Sequence, residues 1–180
     1  TLFFGPDLKG IKKVISNLKG LGYGLTRKEG DKTTAFAFLG VSILPDPVTK
    51  MLRLTQTGLI KKVLGATGMS KCNTWGSLAL STPLGTDADG PRQKETWNYA
   101  SVIGMMMYLS SNAHPKIQFA VHQCAWFTHC PCASHEEGVK HICWYLQGVK
   151  DKGLTFKPNA DLQLDCCVDA NSAGLWNYKS

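Results

Sequence analysis

The stretch HQCAWFTHCPCASH, residues 122–135, places three histidines and three cysteines within fourteen positions. Imidazole and thiolate groups are the usual ligands of zinc, and a structural zinc ion needs about four of them converging on one point. One hypothesis is therefore a small metal-binding module. The other is a junction between two helices that is rich in these residue types.

Helical geometry reduces the number of candidate ligands. Side chains two residues apart on a helix point about 200° apart. His122 and Cys124 therefore face opposite sides, and the same holds for His141 and Cys143. Both cysteines fall on apolar stripes and are predicted to be small core residues. The loop candidates that remain are His129, Cys130, Cys132 and His135.

The four remaining candidates lack the paired C-x-x-C spacing of common structural zinc sites. The segment therefore favours a helix–loop–helix junction, with Pro131 in the loop. Ser134 and Glu137 have the S-x-x-E spacing of a capping box, which predicts that the second helix begins there.

Composition places the chain among globular proteins. Its 180 residues suit one domain or two small units, with 43% hydrophobic and 18% charged residues. The net charge of +7 favours a polyanionic partner, nucleic acid before a membrane, although a solvated basic surface explains the charge equally well. Seven cysteines without a regular spacing favour a reducing, intracellular compartment. The longest apolar stretch, Val102–Leu109, is too short to span a bilayer.

The first 54 residues predict a strand, a helix and a hairpin. TLFF is strand-like at position 1, which suggests a chain cut from something longer. A helix follows between Asp7, its expected N-cap, and Gly20 or Gly22. Its apolar stripe comprises Leu8, Ile11, Val14, Ile15 and Leu18.

Residues 34–44 and 51–56 then alternate as two strands around the turn PDPVTK. In the first strand, Phe36 and Phe38 are predicted to face away from Leu39, Val41 and Ile43. Gly40 suggests a bulge or a close approach by another backbone.

The middle of the chain predicts four helices. Thr55 or Thr57 would cap the first, with Lys61 and Lys62 outward and Leu59, Ile60, Val63 and Leu64 inward. The second spans 95–112. One of its faces comprises Trp97, Ser101, Gly104 and Tyr108. Its run GMMMYL is apolar on every side, which predicts a central position for this helix. The third spans about 116–128, and the fourth ends near Gln147 and Gly148. GLTFKP and LQLDCCVDA are strand-like.

From residue 99 to 148 the order of residues resembles the C-terminal part of the reverse transcriptase of copia-type LTR retrotransposons. The family pattern reads Y-R-x-x-V-G-x-L-M-Y-L, R-P-D-I-x-F-A-V, F-x-x-x-P-x-x-x-H and Y-L-x-G-T. The matching residues are Tyr99, Gly104, Met107, Tyr108 and Leu109; Pro115, Ile117, Phe119, Ala120 and Val121; Phe127, Pro131 and His135; and Tyr145, Leu146 and Gly148.

Further segments extend the resemblance over essentially the whole chain. FLGVSI, LTQTGLIKKVL and STPL are similar to upstream family motifs, with Gly58 at or near a usual aromatic. LDCCVDANSAG resembles the opening strand of the family's RNase H domain. Departures are Lys116 in place of an acid, and Asn171 and Ser172 in place of an acid and an aromatic, which indicate a diverged or decayed copy.

The resemblance implies an α+β fold in three parts: the end of the palm with a primer-grip hairpin (1–54), a helical thumb (55–148), and a linker with the first strand of an RNase H-like domain (149–180). It implies nucleic-acid contacts at Phe38, Leu39, Gly40, Lys61 and Lys62. Asp169 would be the first RNase H carboxylate and a Mg²⁺ ligand only in a completed site.

The resemblance also implies a function for the parent protein, an RNA-directed DNA polymerase with ribonuclease H that uses Mg²⁺. Its partners would be an RNA–DNA or DNA template–primer duplex, together with the palm, fingers and RNase H segments that this sequence lacks. Since the polymerase aspartates would lie just before Thr1, the expected activity of this chain is at most nucleic-acid binding, without a membrane or a cofactor of its own. The alternatives are the Cys/His metal module and an inactive pseudogene product.

Overall fold

A computed structural model of the chain describes residues 7–24, 36–78, 84–87, 89–94 and 96–157. The predicted opening strand at 1–4 and the segment LQLDCCVDA lie outside these residues. In chain order the elements are α1 (Leu8–Gly20), β1 (Phe36–Phe38), β2 (Val41–Pro45), β3 (Leu52–Thr55), α2 (Thr57–Ala66), α3 (Tyr99–Asn112), a 3-10 turn (Pro115–Ile117), α4 (Gln118–Ala125), α5 (Ala133–Val149) and β4 (Leu154–Phe156).

The first helix begins and ends where the sequence predicts. The Asp7 carboxylate accepts hydrogen bonds from the backbone N–H groups of Lys9 and Gly10, both at 3.0 Å. Gly22 lies just beyond the helix with a φ of 83°. Of the predicted apolar stripe, Val14 is 44% exposed. The other members with described side chains, Ile11, Ile15 and Leu18, are half-buried.

The four strands form one antiparallel sheet in the order β1-β2-β3-β4. The prediction of one continuous strand over 34–44 is wrong, because the chain reverses at Leu39 and Gly40. Both residues have positive φ angles, 49° and 77°. Positive φ at both central positions is the geometry of a two-residue type I′ turn, whose twist matches that of the flanking strands. Gly40 is thus a turn residue and not a bulge.

The turn also changes which side chains share a face. Phe36 lies opposite Ile43, and Phe38 lies opposite Val41. Directly opposed residues of an antiparallel pair project from the same face, so the predicted separation of these phenylalanines from Val41 and Ile43 is wrong. The register of the other strands adds further apolar residues to this face: Pro45, Leu52, Leu54, Leu154 and Phe156.

The second hairpin, between β2 and β3, confirms the predicted turn at PDPVTK. Asp46 closes it by accepting hydrogen bonds from the hydroxyl of Thr49 at 2.6 Å and the N–H of Val48 at 2.9 Å. These bonds hold the pKa of the Asp46 carboxyl below its usual range, and the bond from the Thr49 hydroxyl has the largest effect. β4 then pairs with β3, so the chain returns to the sheet after its helices.

Helices α2 to α5 enclose one hydrophobic core. Fifteen buried side chains form it: Ile60, Val63, Leu64, Tyr99, Val102, Ile103, Met106, Leu109, Ile117, Val121, Cys124, Val139, Ile142, Cys143 and Leu146. The two cysteines are core residues, as predicted. Burial raises the pKa of Cys124 to about 11 and that of Cys143 to about 12, which makes both thiols poor nucleophiles and poor metal ligands at neutral pH.

Several helix ends differ from the sequence predictions. Neither Thr55 nor Thr57 caps α2: the N-cap is Gln56, and the Thr57 hydroxyl instead donates to the carbonyl of Lys150 at 3.0 Å. α3 begins at Tyr99, four residues later than predicted, because the Asn98 side chain caps it by accepting from the N–H of Ser101. α5 continues through Gly148 to Val149. None of the described helices is both long and apolar enough to cross a membrane.

Candidate nucleic-acid interface

The tip of the first hairpin projects a large apolar side chain into solvent. Leu39 is 72% exposed and has a positive φ, a conformation that costs a non-glycine residue about 1 kcal/mol. Its neighbour Phe38 is half-buried, and Gly40 is exposed. The resemblance implies nucleic-acid contacts at these three residues, which form the end of β1 and the turn after it.

One face of α3 is exposed, contrary to the prediction that its apolar run lies buried all round. Met106 and Leu109 are buried in the core, whereas Met107 and Tyr108 are 39% and 41% exposed. No charged residue occurs anywhere in α3. Its exposed side is therefore an uncharged strip, made of Ala100, Ser101, Gly104, Met107, Tyr108 and Ser111.

A hydrogen bond joins the hairpin tip to this strip. The Tyr108 hydroxyl donates to the backbone carbonyl of Leu39 at 2.7 Å. The two residues are 69 positions apart, and no spacing in the sequence indicates their contact. We call the combined area the hairpin–helix surface; it comprises Phe38, Leu39, Gly40, Ser101, Gly104, Met107 and Tyr108.

The hairpin–helix surface suits close approach by a polymer backbone. A Cβ added at Gly104 would meet nothing within 4 Å, so the space directly beside the helix at this position is open. Small and uncharged groups contribute little electrostatic attraction, but they permit contact with sugars and with the shape of a duplex. Attraction for phosphates must come from cations elsewhere. Lys61 and Lys62 are exposed, as predicted, on α2, which packs against α3.

The candidate zinc residues at the α4–α5 junction do not form a common site. His135 is fully buried, and its Nδ1 accepts a hydrogen bond from the backbone N–H of Cys132 at 2.9 Å. Its Nε2 lies 2.8 Å from the carbonyl of Gly85, to which it donates. The imidazole therefore has no free lone pair for a metal. Cys132 is also buried, whereas His129 and Cys130 are exposed.

The junction explains the F-x-x-x-P-x-x-x-H spacing in structural terms. The rings of Phe127 and His135 stack with centroids 4.0 Å apart. α5 begins at Ala133, so the predicted capping box of Ser134 and Glu137 is wrong. The N-cap is Cys132, and its N–H is bound by the side chain of His135 three residues later. The Ser134 hydroxyl instead bonds Asp87.

Magnesium chemistry finds no support among the described residues. Within that part of the chain, no three His, Cys, Asp or Glu side chains converge on a point where they could hold an ion. Asp169, the predicted RNase H carboxylate, lies outside it.

Comparison with known proteins supports a relationship to retrotransposon polyproteins. The chain is 31% identical over 99% of its length to the Retrovirus-related Pol polyprotein from transposon TNT 1-94 of Nicotiana tabacum. Over 54% of its length it is 24% identical to the putative transposon Ty5-1 protein of Saccharomyces cerevisiae. The chain is related to retrotransposon Pol polyproteins. It spans 14% of the tobacco polyprotein and 32% of the yeast protein.

A third relative is of another kind. The Secreted RxLR effector protein 161 of Plasmopara viticola is 33% identical over 42% of this chain and 54% of its own length. No family model matches the chain, and no solved structure matches it.

Proposed function

We propose that this chain is the template–primer holding part of a retrotransposon reverse transcriptase, with α+β architecture, and that the hairpin–helix surface contacts the duplex. The single observation that carries the proposal is the hydrogen bond between Tyr108 and Leu39. It joins the tip of the first hairpin, at the start of the segment interpreted as the primer grip, to a helix of the segment interpreted as the thumb. The relationship to Pol polyproteins supports the same assignment.

Contact with the duplex is through its backbone and shape. The hairpin–helix surface has neither acid nor base with which to read base edges, and Gly104 leaves room for a sugar–phosphate chain. The net charge of +7 supplies long-range attraction, and Lys61 and Lys62 supply local cations on the neighbouring helix. Binding is therefore independent of sequence and falls steeply with salt. At physiological salt the affinity is in the non-specific range of about 10⁻⁴ to 10⁻⁶ M.

Titration of a labelled, blunt RNA–DNA hybrid at several salt concentrations tests the proposal. Replacing Lys61 and Lys62 by Ala should weaken binding and flatten the salt slope by about one to two units. Gly104→Glu should weaken binding further at low salt, because it places a carboxylate where a phosphate backbone approaches. The space around Gly104 is open, so this variant should fold normally.

Two control variants show whether the effect of Gly104→Glu comes from the size of the new side chain, from its charge or from its position. Gly104→Gln adds the same bulk without the carboxylate and should lose less affinity than Gly104→Glu. Val48→Glu adds the same charge at the turn on the opposite end of β2, where the side chain is 88% exposed, and should bind nearly as wild type. Equal loss in Val48→Glu and Gly104→Glu, or binding that ignores salt, would exclude the hairpin–helix surface as the contact.

A further inference from the structure

A second candidate site lies at the end of α5, away from the hairpin. The segment after α2 crosses this helix and leaves an open pocket of 480 Å³, within the size range of small-molecule sites. Its lining is mixed: two indole rings, one ammonium group, one amide, one hydroxyl and one thiol. The residues are Lys71, Cys72, Asn73, Thr74, Trp75 and Trp144.

Specific contacts hold the two walls of this pocket together. The backbone N–H of Trp75 donates to the carbonyl of Trp144 at 3.3 Å. One turn later, Gly148 lies against Thr74: a Cβ at that position would be in van der Waals contact, 3.4 Å from the Cβ of Thr74. Gln147 donates to the carbonyl of Ser70 at 3.3 Å. The pocket is thus formed by a docked segment.

The two tryptophans differ in how they are held. The Trp144 indole is half-buried and lies edge-on to the imidazole of His141, with ring centroids 4.7 Å apart. The Trp75 side chain is 59% exposed. Both indoles line the pocket, so an aromatic group that enters it can contact an indole ring.

The charge of the pocket lining indicates the class of ligand. Of the six lining residues, Lys71 has the one charged side chain, and none is an aspartate or glutamate. Elsewhere on α5, Lys140 lies 3.1 Å from Glu136 and 3.7 Å from Glu137, and Glu137 lies 3.9 Å from the imidazole of His141. Indole rings beside one ammonium group fit an aromatic group that carries an anion.

We propose that this pocket binds an unpaired nucleobase of a single-stranded nucleic acid. The base stacks on Trp75 and Trp144, Asn73 hydrogen-bonds to its edge, and Lys71 binds the adjacent phosphate. This is the combination of stacking and phosphate attraction by which proteins bind single strands without sequence preference. The proposal rests on the proposed function, to which it adds a second site, for the unpaired template beside the duplex.

Fluorescence anisotropy with a labelled oligothymidylate about 15 nucleotides long tests this inference on the full chain. Trp75→Ala should weaken binding at least about fivefold, the loss expected for one stacked base. Trp75→Phe should recover much of it. Trp126→Ala is the matched control, since Trp126 is 65% exposed on another part of the surface, and it should bind as wild type. Circular dichroism checks that each variant is folded.

A strand of the same length without bases separates stacking from charge. Wild type should bind this abasic strand more weakly than oligothymidylate, and Trp75→Ala should not change its affinity. Equal affinity of wild type and Trp75→Ala for oligothymidylate, or equal loss in Trp75→Ala and Trp126→Ala, would overturn the inference. The blunt hybrid tests the hairpin–helix surface independently, because it has no unpaired base and its binding should respond to Gly104→Glu but not to Trp75→Ala.

Discussion

At the scale of single residues, the most informative side chain is His135. Three histidines and three cysteines between residues 122 and 135 suggest metal chemistry, yet this imidazole is used entirely for structure. Its two nitrogens hold the backbones of Cys132 and Gly85, and its ring lies on Phe127. The sequence allowed the correct exclusion of Cys124 and Cys143, because helical periodicity places them in the core. It could not show the partners of His135, since Gly85 is 50 residues away.

Replacing His135 by Ala should lower the free energy of unfolding by about 3 kcal/mol. The change removes a stacked ring and leaves the buried N–H of Cys132 and the carbonyl of Gly85 without partners. His129→Ala is the matched control, and its effect should be within about 0.5 kcal/mol because that side chain is exposed. Denaturant unfolding followed by circular dichroism measures both. Similar stabilities for the two variants would contradict the structural role.

Another buried histidine, His114, should make the free energy of unfolding depend on pH. His114 is 7% exposed, its Nε2 has no hydrogen-bond partner among the described residues, and burial lowers its pKa despite a hydrogen bond with the backbone of Lys152. The unfolded state therefore takes up a proton at a higher pH than the folded state. Stability is complete above the unfolded pKa of about 6.5 and falls as the pH drops from there toward the lower folded pKa.

Between about pH 7.5 and pH 5.5, wild type should lose up to about 1 kcal/mol more than His114→Asn, which has no titrating ring. The exposed His122, changed to Asn, should leave the pH dependence of wild type unaltered. Urea unfolding at a series of pH values gives the comparison. Identical pH profiles for wild type and His114→Asn would refute this assignment.

At the scale of elements, the sequence predicts where the described helices lie but not all of their ends, and it does not predict the first hairpin. The cap at Asp7, the inward stripe of α2 and the strand character of β4 are all local patterns, whereas the pairing of β4 with β3 is not. The reversal at Leu39 and Gly40 escaped prediction because leucine disfavours a positive φ, so the alternating residues on either side indicated one uninterrupted strand. The exposed strip of α3 was hidden for a related reason: an uncharged helix predicts burial on every side, and only the positions of its neighbours decide which side stays open.

Replacing glycine by alanine should have opposite effects on stability in the first hairpin turn and in α2. Gly40→Ala should destabilise the chain by about 1 kcal/mol, because φ at this position is 77° and a Cβ is strained there. Gly58→Ala should stabilise it by up to about 1 kcal/mol, because that residue lies in α2 with open space around it. Thermal unfolding of both variants gives the signs. Stabilisation by Gly40→Ala would show that the chain does not reverse at this residue.

At the scale of the whole molecule, the described residues comprise α1, a four-stranded sheet and a core formed by the later helices. All fifteen residues of the core come from the helices and the 3-10 turn, and none comes from the strands. The bond from Tyr108 to Leu39 links the first hairpin to α3, and the bond from Thr57 to Lys150 links the start of α2 to the end of α5. The contact between the first hairpin and α3 is a tertiary feature that no local pattern encodes.

The central claim is that the hairpin tip and α3 together touch a template–primer duplex. The most direct measurement is photo-crosslinking of the full chain to a labelled RNA–DNA hybrid at low salt, with a benzophenone side chain placed at Leu39, at Met107 or at Val48. The first two positions lie on the hairpin–helix surface, and the third is exposed at the opposite end of β2. We predict that benzophenone at Leu39 and at Met107 labels the hybrid and that benzophenone at Val48 does not. Labelling from Val48 alone, or equal labelling from all three positions, would contradict the account.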